Sequence, residues 1–207
     1  TKKEVLSLWS GLGYNSRALR LYETSKILSK KSFNSIYPNF DVLPGVGKYT
    51  KSALLSFAYE EKVIAQDTNV IRIFSRFFGI ENPQNFIEKN EKNILKNIKS
   101  RKFNQILMDF GSKICTSRNP LCTECVLEAN CKKFFSNTKY TPVPFKGSNR
   151  EIRGKIIKFL VVNEGVEISS LKKSLKLEDY KIEPIIKKLA DEGMINIKNK
   201  KLIEISS

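Results

Sequence analysis

The chain has 207 residues, 41% of them hydrophobic, which is enough to build a core and excludes a disordered tail. Lys and Arg number 37 against 21 Asp and Glu, and the net charge of +16 favours polyanionic partners, although an AT-rich genome also enriches Lys, Asn and Ile. Histidine is absent, which removes Ser–His and Cys–His nucleophiles and every His-containing zinc site.

No apolar run is long enough to span a bilayer and no signal-peptide pattern opens the chain, so the cytoplasm is the default location. In chain order, the spacing predicts a helix over Arg17–Leu28, with Ala18, Leu21, Tyr22 and Ile27 on its apolar face. Tyr37-Pro38 breaks that pattern, and a short helix then ends at Leu43. Pro44-Gly45-Val46-Gly47 leads into a longer helix from Lys48 to Tyr59. After Asp67 a further helix turns Val70, Ile71, Phe74 and Phe77 inward and closes at Gly79. Residues 80–104 carry helical spacing at Phe86, Ile87, Ile94, Leu95 and Ile98, and Gln105–Ile114 forms a helix leading into the cysteines.

Residues 136–149 read as a linker, with Pro142, Pro144, Gly147 and Ser148. Beyond it lie three helical stripes: Ile152, Ile156, Ile157 and Leu160; Ile168, Leu171 and Leu175; and Ile182, Ile185, Ile186 and Leu189. Pro184 in the third is compatible only with a position near the first turn. Two strands, Met194–Ile197 and Lys201–Ile205, flank Asn199-Lys200 as a hairpin. The chain thus divides into 1–135, a linker at 136–149 and a winged-helix-like module at 150–207. That module holds 13 Lys and Arg against 9 Asp and Glu, only +4, which fits a packing module as well as a DNA grip.

Four stretches carry chemistry. Cys115, Cys122, Cys125 and Cys131 fall within 17 residues as C-x6-C-x2-C-x5-C, which argues for a metal rather than disulfides. Four thiolates suit a [4Fe-4S] cluster; zinc is the alternative, although zinc ribbons use two C-x2-C pairs and only one is present. Leu43-Pro44-Gly45-Val46-Gly47 lets a backbone approach a phosphate and aims the N–H groups of the next helix at it, or is simply a tight helical connection. Asp67 is either a plain helix cap or a carboxylate that stabilises an oxocarbenium-like sugar. Tyr14, after Trp9-Ser10-Gly11-Leu12-Gly13, is either a wedge between bases or a core aromatic.

Together LWSGLGYNSRA (8–18), LPGVGKYT (43–50), QDTNVIRIFSR (66–76), NQILMDFGSKIC (104–115) and the cysteine spacing resemble the helix-hairpin-helix DNA glycosylases, in particular their MutY-like adenine glycosylase branch. The resemblance covers about residues 4–135, in the family's order. It implies a mainly α, partial six-helix domain with a [4Fe-4S] loop at 115–131. It also implies a monomeric enzyme that removes adenine mispaired with 8-oxoguanine or guanine in double-stranded DNA, by hydrolysis. On this mapping Asp67 stabilises the sugar cation, Asn69 holds the site together and Tyr14 intercalates beside the lesion. Leu43, Gly45, Val46, Gly47, Lys48 and Arg17 meet DNA, as do Arg118, Lys132 and Lys133 of the cysteine loop.

Tyr49 stands where endonuclease III-like relatives carry a Schiff-base lysine, which favours a monofunctional enzyme; thymine glycosylases for T·G mispairs also carry tyrosine there. The chain begins part-way into the family's catalytic domain, after the glutamate that protonates the leaving base, so the resemblance implies an N-terminally truncated and impaired enzyme. Residues 150–207 lack the pattern of the Nudix-like domain that reads 8-oxoguanine. Other readings are an endonuclease III-like lyase and a non-catalytic DNA-binding protein.

Overall fold

Three helices open where a side chain satisfies the free N–H groups of a first turn. Thr1 and Glu4 form a capping box on α1 (Lys2–Leu8), Asp67 caps α5 (Thr68–Phe78), and Ser148 caps α8 (Asn149–Val162). A computed structural model of the chain describes residues 1–135, 144–176, 179–199 and 201–206. Most of the expected linker, 136–143, and Lys200 of the expected hairpin lie outside them. The chain is mainly helical and forms two compact units. No described helix is long and apolar enough to cross a membrane.

One unit comprises the described residues of 33–139. A short helix, α3 (Phe33–Ile36), and a 3-10 turn (Phe40–Val42) precede α4 (Lys48–Tyr59), whose bounds match the sequence expectation. Phe40 is fully buried, its ring 5.3 Å from Tyr59, and Tyr59 stacks on Tyr37 at 4.8 Å. These rings tie the segment before the glycine turn to the far end of α4. Then come α5, α6 (Gln84–Ile94) and α7 (Ser100–Lys113), around Ile64, Val70, Phe74, Ile87 and Leu95.

Two expectations are corrected in this unit. On α5 the buried residues are Val70, Ile73, Phe74 and Arg76, whereas Ile71 and Phe77 are only half-buried, because the arginine face of the helix is also covered. The helix expected at Gln105 starts five residues earlier, at Ser100. Its first turns bury Ser100 and Asn104, polar side chains that leave no apolar period to read. Asn104 donates to the Val63 carbonyl (2.9 Å) and Ser56 Oγ (2.8 Å) and accepts from Ala65 N (2.9 Å), which pins the strand-like approach to Asp67. Replacing Asn104 with Leu strands several buried partners at about 1–3 kcal/mol each. Chemical denaturation should register a loss of at least about 2 kcal/mol; an unchanged midpoint would show the network to be dispensable.

The other unit joins Thr1–Ser32 to the described residues of 140–207. It holds α1, α2 (Asn15–Leu28), α8, β1 (Val166–Glu167), α9 (Ile168–Leu175), α10 (Asp179–Asp191), β2 (Ile195–Lys198) and β3 (Leu202–Ile205). Leu6, Ala18 and Leu19 share one core with all eight residues of the first and third C-terminal stripes. On α2 the buried pair is therefore Ala18 and Leu19, and Leu21 is exposed, contrary to expectation.

From α8 onward the order is helix, strand, helix, helix, strand, strand, with an antiparallel sheet in the order β1-β3-β2. That is the winged-helix arrangement expected from the stripes. Asn199 takes a positive φ of 49° at the hairpin turn. Pro184 lies in the second turn of α10 rather than the first. A proline in a helix interior costs about 3 kcal/mol. Burying Ile182, Ile185, Ile186 and Leu189 returns about 1.5–3 kcal/mol apiece, so burial prevails.

Candidate active site and cysteine loop

The glycine turn is built from its residue types. The Val46 N–H donates to the Leu43 carbonyl at 3.0 Å across Pro44 and Gly45, and Gly45 has φ of 84°. Pro followed by a positive-φ Gly is the signature of a type II turn. Gly47 caps α4 with extended backbone and no side-chain bond. Leu43 is buried, Val46 half-buried, and Gly45 and Gly47 exposed. Lys48 pairs with Glu88, which also accepts from Gln66 Nε2 at 3.4 Å. The Lys48 ammonium holds the Glu88 carboxyl below the usual carboxylate range. This exposed link joins the start of α4 to the residue before Asp67 and costs little to open. Tyr49 is 43% exposed on the first turn of α4.

Asp67 does two things at once. Its Oδ1 accepts from Val70 N at 2.7 Å, the cap expected from sequence, and its Oδ2 accepts from Asn69 Nδ2 at 2.9 Å. Asn69 Oδ1 in turn accepts from Arg72 Nη2 at 2.7 Å. Arg72 gives three further donors to the Gly111 carbonyl (2.7 Å), the Cys115 carbonyl (2.9 Å) and the Thr68 carbonyl (3.4 Å). Burial, and next the charge of Arg76, pull the Arg72 guanidinium below its ordinary value, though it stays charged at neutral pH. A continuous chain of hydrogen bonds therefore runs from the first cysteine to the Asp67 carboxylate.

One turn further along α5, Arg76 grips the cysteine loop. It donates to the carbonyls of Thr116 (2.7 Å) and Ser117 (3.0 Å) and approaches Cys115 Sγ at 3.4 Å, with Phe135 stacked over the guanidinium at 4.8 Å. The loop's far end returns to the same helix: Lys132 N donates to the Phe77 carbonyl and Phe134 N to the Arg76 carbonyl. Between these anchors two 3-10 turns, Cys122–Glu124 and Glu128–Asn130, reverse the chain. All four cysteines line one cavity of about 30 Å³, walled by Ile114, Pro120, Leu121 and Phe135. Among the described residues no three Cys, Asp or Glu side chains are gathered as a single metal ion requires. The four thiols share this pocket with the cations Arg76 and Lys133. Arg118, Lys132 and Lys133 are exposed.

Tyr14 and Arg17 belong to the other unit. Tyr14 adopts left-handed backbone (φ 49°) at the start of α2 and is 65% exposed. The preceding loop is held by Trp9, whose indole N–H donates to the Gly13 carbonyl at 2.8 Å. Tyr14 is thus an exposed aromatic in left-handed backbone on a braced loop. Arg17 is exposed on the first turn of α2.

Sequence reasoning passed over Arg72, Arg76, Asn104 and Gly111. The signal for Gly111 was a glycine inside a helical pattern, which marks close approach: a Cβ there would lie 2.5 Å from Asn69 Cβ. The arginines, four residues apart on α5, add nothing to an apolar pattern and so carry no burial signal.

Residues 1–99 match the family model described as "HhH-GPD superfamily base excision DNA repair protein". Over those residues the chain is similar to the HhH-GPD superfamily. It is 40% identical to the adenine DNA glycosylase of Buchnera aphidicola subsp. Baizongia pistaciae over 64% of this chain and 40% of that protein. With the adenine DNA glycosylase of Buchnera aphidicola subsp. Acyrthosiphon pisum it shares 35% identity over 96% of this chain and 59% of that one. The chain thus spans about half the length of the curated relatives it matches. Among solved structures, a thermostable thymine-DNA glycosylase superposes with a TM-score of 0.57 and 30% identity, over 65% of this chain and 66% of that one.

Proposed function

We propose that the protein carrying this chain is a monofunctional DNA glycosylase that removes adenine mispaired with 8-oxoguanine or guanine from double-stranded DNA. The observation that carries this reading is the Asp67 carboxylate. It is held by the Val70 N–H and the Asn69 amide, in the superfamily shared with named adenine glycosylases. Glycosidic cleavage leaves positive charge on the sugar, and a fixed carboxylate beside that carbon stabilises it more than it stabilises the neutral ground state. The base must leave the stack first. Tyr14 fills the gap, Arg17 and the Leu43–Lys48 turn hold the flanking phosphates, and water completes hydrolysis. Tyr49, a phenol, has no amine with which to form a Schiff base, so the strand is left uncut.

Cys115, Cys122, Cys125 and Cys131 would hold a [4Fe-4S] cluster, whose contribution when bound is to organise the loop. Arg118, Lys132 and Lys133 then present positive charge to phosphates. Purified protein should contain about four irons and four sulfides per chain; zinc without sulfide would refute the assignment. The protein acts as a monomer in the cytoplasm, on the nucleoid.

A second reading has a specific observation behind it: Tyr49 together with the likeness to a thymine-DNA glycosylase fits removal of thymine from T·G mispairs. Duplexes with A·8-oxoguanine, A·G and T·G mispairs, assayed side by side, separate the two. Adenine release from the first two supports the main reading, and release confined to T·G replaces it.

A further inference from the structure

The unit that contains Tyr14 holds a cleft of about 560 Å³ between the loop at 10–16 and one face of α8. Its walls carry Tyr14, Arg150, Arg153, Lys155 and Lys158, and Glu151 is the one acid among the lining residues. Glu151 is already engaged by Lys155 Nζ at 2.8 Å and by the Gly147 N–H at 2.5 Å, and Arg153 pairs with Glu192. Arg150 donates to the Tyr14 hydroxyl at 3.3 Å and lies over the Phe145 ring, so the first cation of α8 meets the exposed tyrosine directly. Lys158 projects from the same helix, exposed.

Gly154 lies in the middle of this lined face. Glycine is a poor residue for a helix interior, yet a Cβ there would meet nothing within 4 Å. The protein's own packing therefore does not call for it. A bare patch of helix between cations is what another backbone needs in order to approach closely.

The charge of the module is also unevenly placed. Across α8 there are four cations and one acid, whereas α10 carries three of each. In a helix-turn-helix arrangement the later helix usually enters the major groove; here that helix is electrically balanced. We propose that the C-terminal module binds the phosphodiester backbone of duplex DNA through α8, in the cleft that α8 forms with the Tyr14 loop. This inference rests on the reading that Tyr14 enters DNA. It makes α8 an extension of the wedge rather than an independent sequence reader.

The test uses the whole chain and a short undamaged duplex, with anisotropy titrations over a series of salt concentrations. The double variant Lys155→Gln/Lys158→Gln should bind about tenfold more weakly near physiological salt, and its log–log salt slope should fall by about two. Gly154→Glu should weaken binding comparably while circular dichroism shows no fall in melting temperature. Lys187→Gln/Lys188→Gln on α10 should bind as wild type. Gly47→Glu, at the glycine turn, reports separately on the glycosylase reading, because a Cβ at Gly47 also meets nothing within 4 Å. If the α8 variants keep wild-type affinity and slope while Gly47→Glu loses binding, the α8 inference fails and the glycosylase reading stands. If wild type does not bind the duplex at all, both fail.

Discussion

Asp67→Asn should lower the single-turnover rate of adenine release from an A·8-oxoguanine duplex by about 10²–10³-fold, the usual cost of removing one electrostatic partner of a transition state. It should cost no more than about 1.5 kcal/mol of stability, the worth of the single bond from the Asn69 amide. Asn is as good a helix cap as Asp, so its side-chain oxygen can still accept from Val70 N at the head of α5. What disappears is the negative charge, together with the Oδ2 acceptor of the Asn69 amide. The substitution therefore separates the cap seen in the structure from the proposed catalytic charge. Asp67 as a cap alone predicts an unchanged rate, and Asp67 as a carboxylate facing a cation predicts a slow enzyme with at most that modest loss of stability.

Gly111→Ala should be damaging although it adds only one methyl group. In an ordinary helix interior, Gly to Ala stabilises by about 1 kcal/mol. At Gly111 the new Cβ would sit 2.5 Å from Asn69 Cβ, an atom fixed to the backbone of α5 that cannot swing away. Overpacking of this kind costs about 1–3 kcal/mol, occasionally more. The displaced residue is Asn69, which bonds both Asp67 and Arg72, so activity should fall together with stability. Gly154→Ala is the matched control: it also lies inside a helix, has open space before it, and should raise the melting temperature. If both alanines shift the melting temperature alike, the close approach of α5 and α7 at Gly111 has been misjudged.

What the sequence revealed, and what it hid, follows from how periodicity works. The bounds of α4 were legible because Pro-Gly and the following glycine punctuate its start, and the stripes of α8 and α10 because each buries four apolar residues in register. Hidden were the places where polar side chains face inward. Ser100 and Asn104 belong to α7 but are silent in an apolar count, so the helix read as starting at Gln105. Arg76 is 8% exposed, yet charge marks it as surface in any sequence pattern. Its burial is possible because the carbonyls of the cysteine loop take up its donors. Asp67 was legible as a choice between cap and catalyst, and the structure places it as a cap while leaving its second oxygen on Asn69. The partnership of α1 and α2 with the C-terminal core was also hidden, since Leu6, Ala18 and Leu19 look no different in sequence from residues that pack locally.

On the proposed function, base removal is hydrolytic and acts on adenine. The most direct measurement incubates the protein carrying this chain with an A·8-oxoguanine duplex labelled in the adenine strand, and follows the freed base and the strand together, with and without borohydride. The expected result is free adenine, a strand that stays whole until alkali cuts the abasic site, and no trapped protein–DNA adduct. A strand cut by the protein itself with a borohydride-stable adduct, or a duplex that keeps its adenine while a T·G duplex loses thymine, would contradict it.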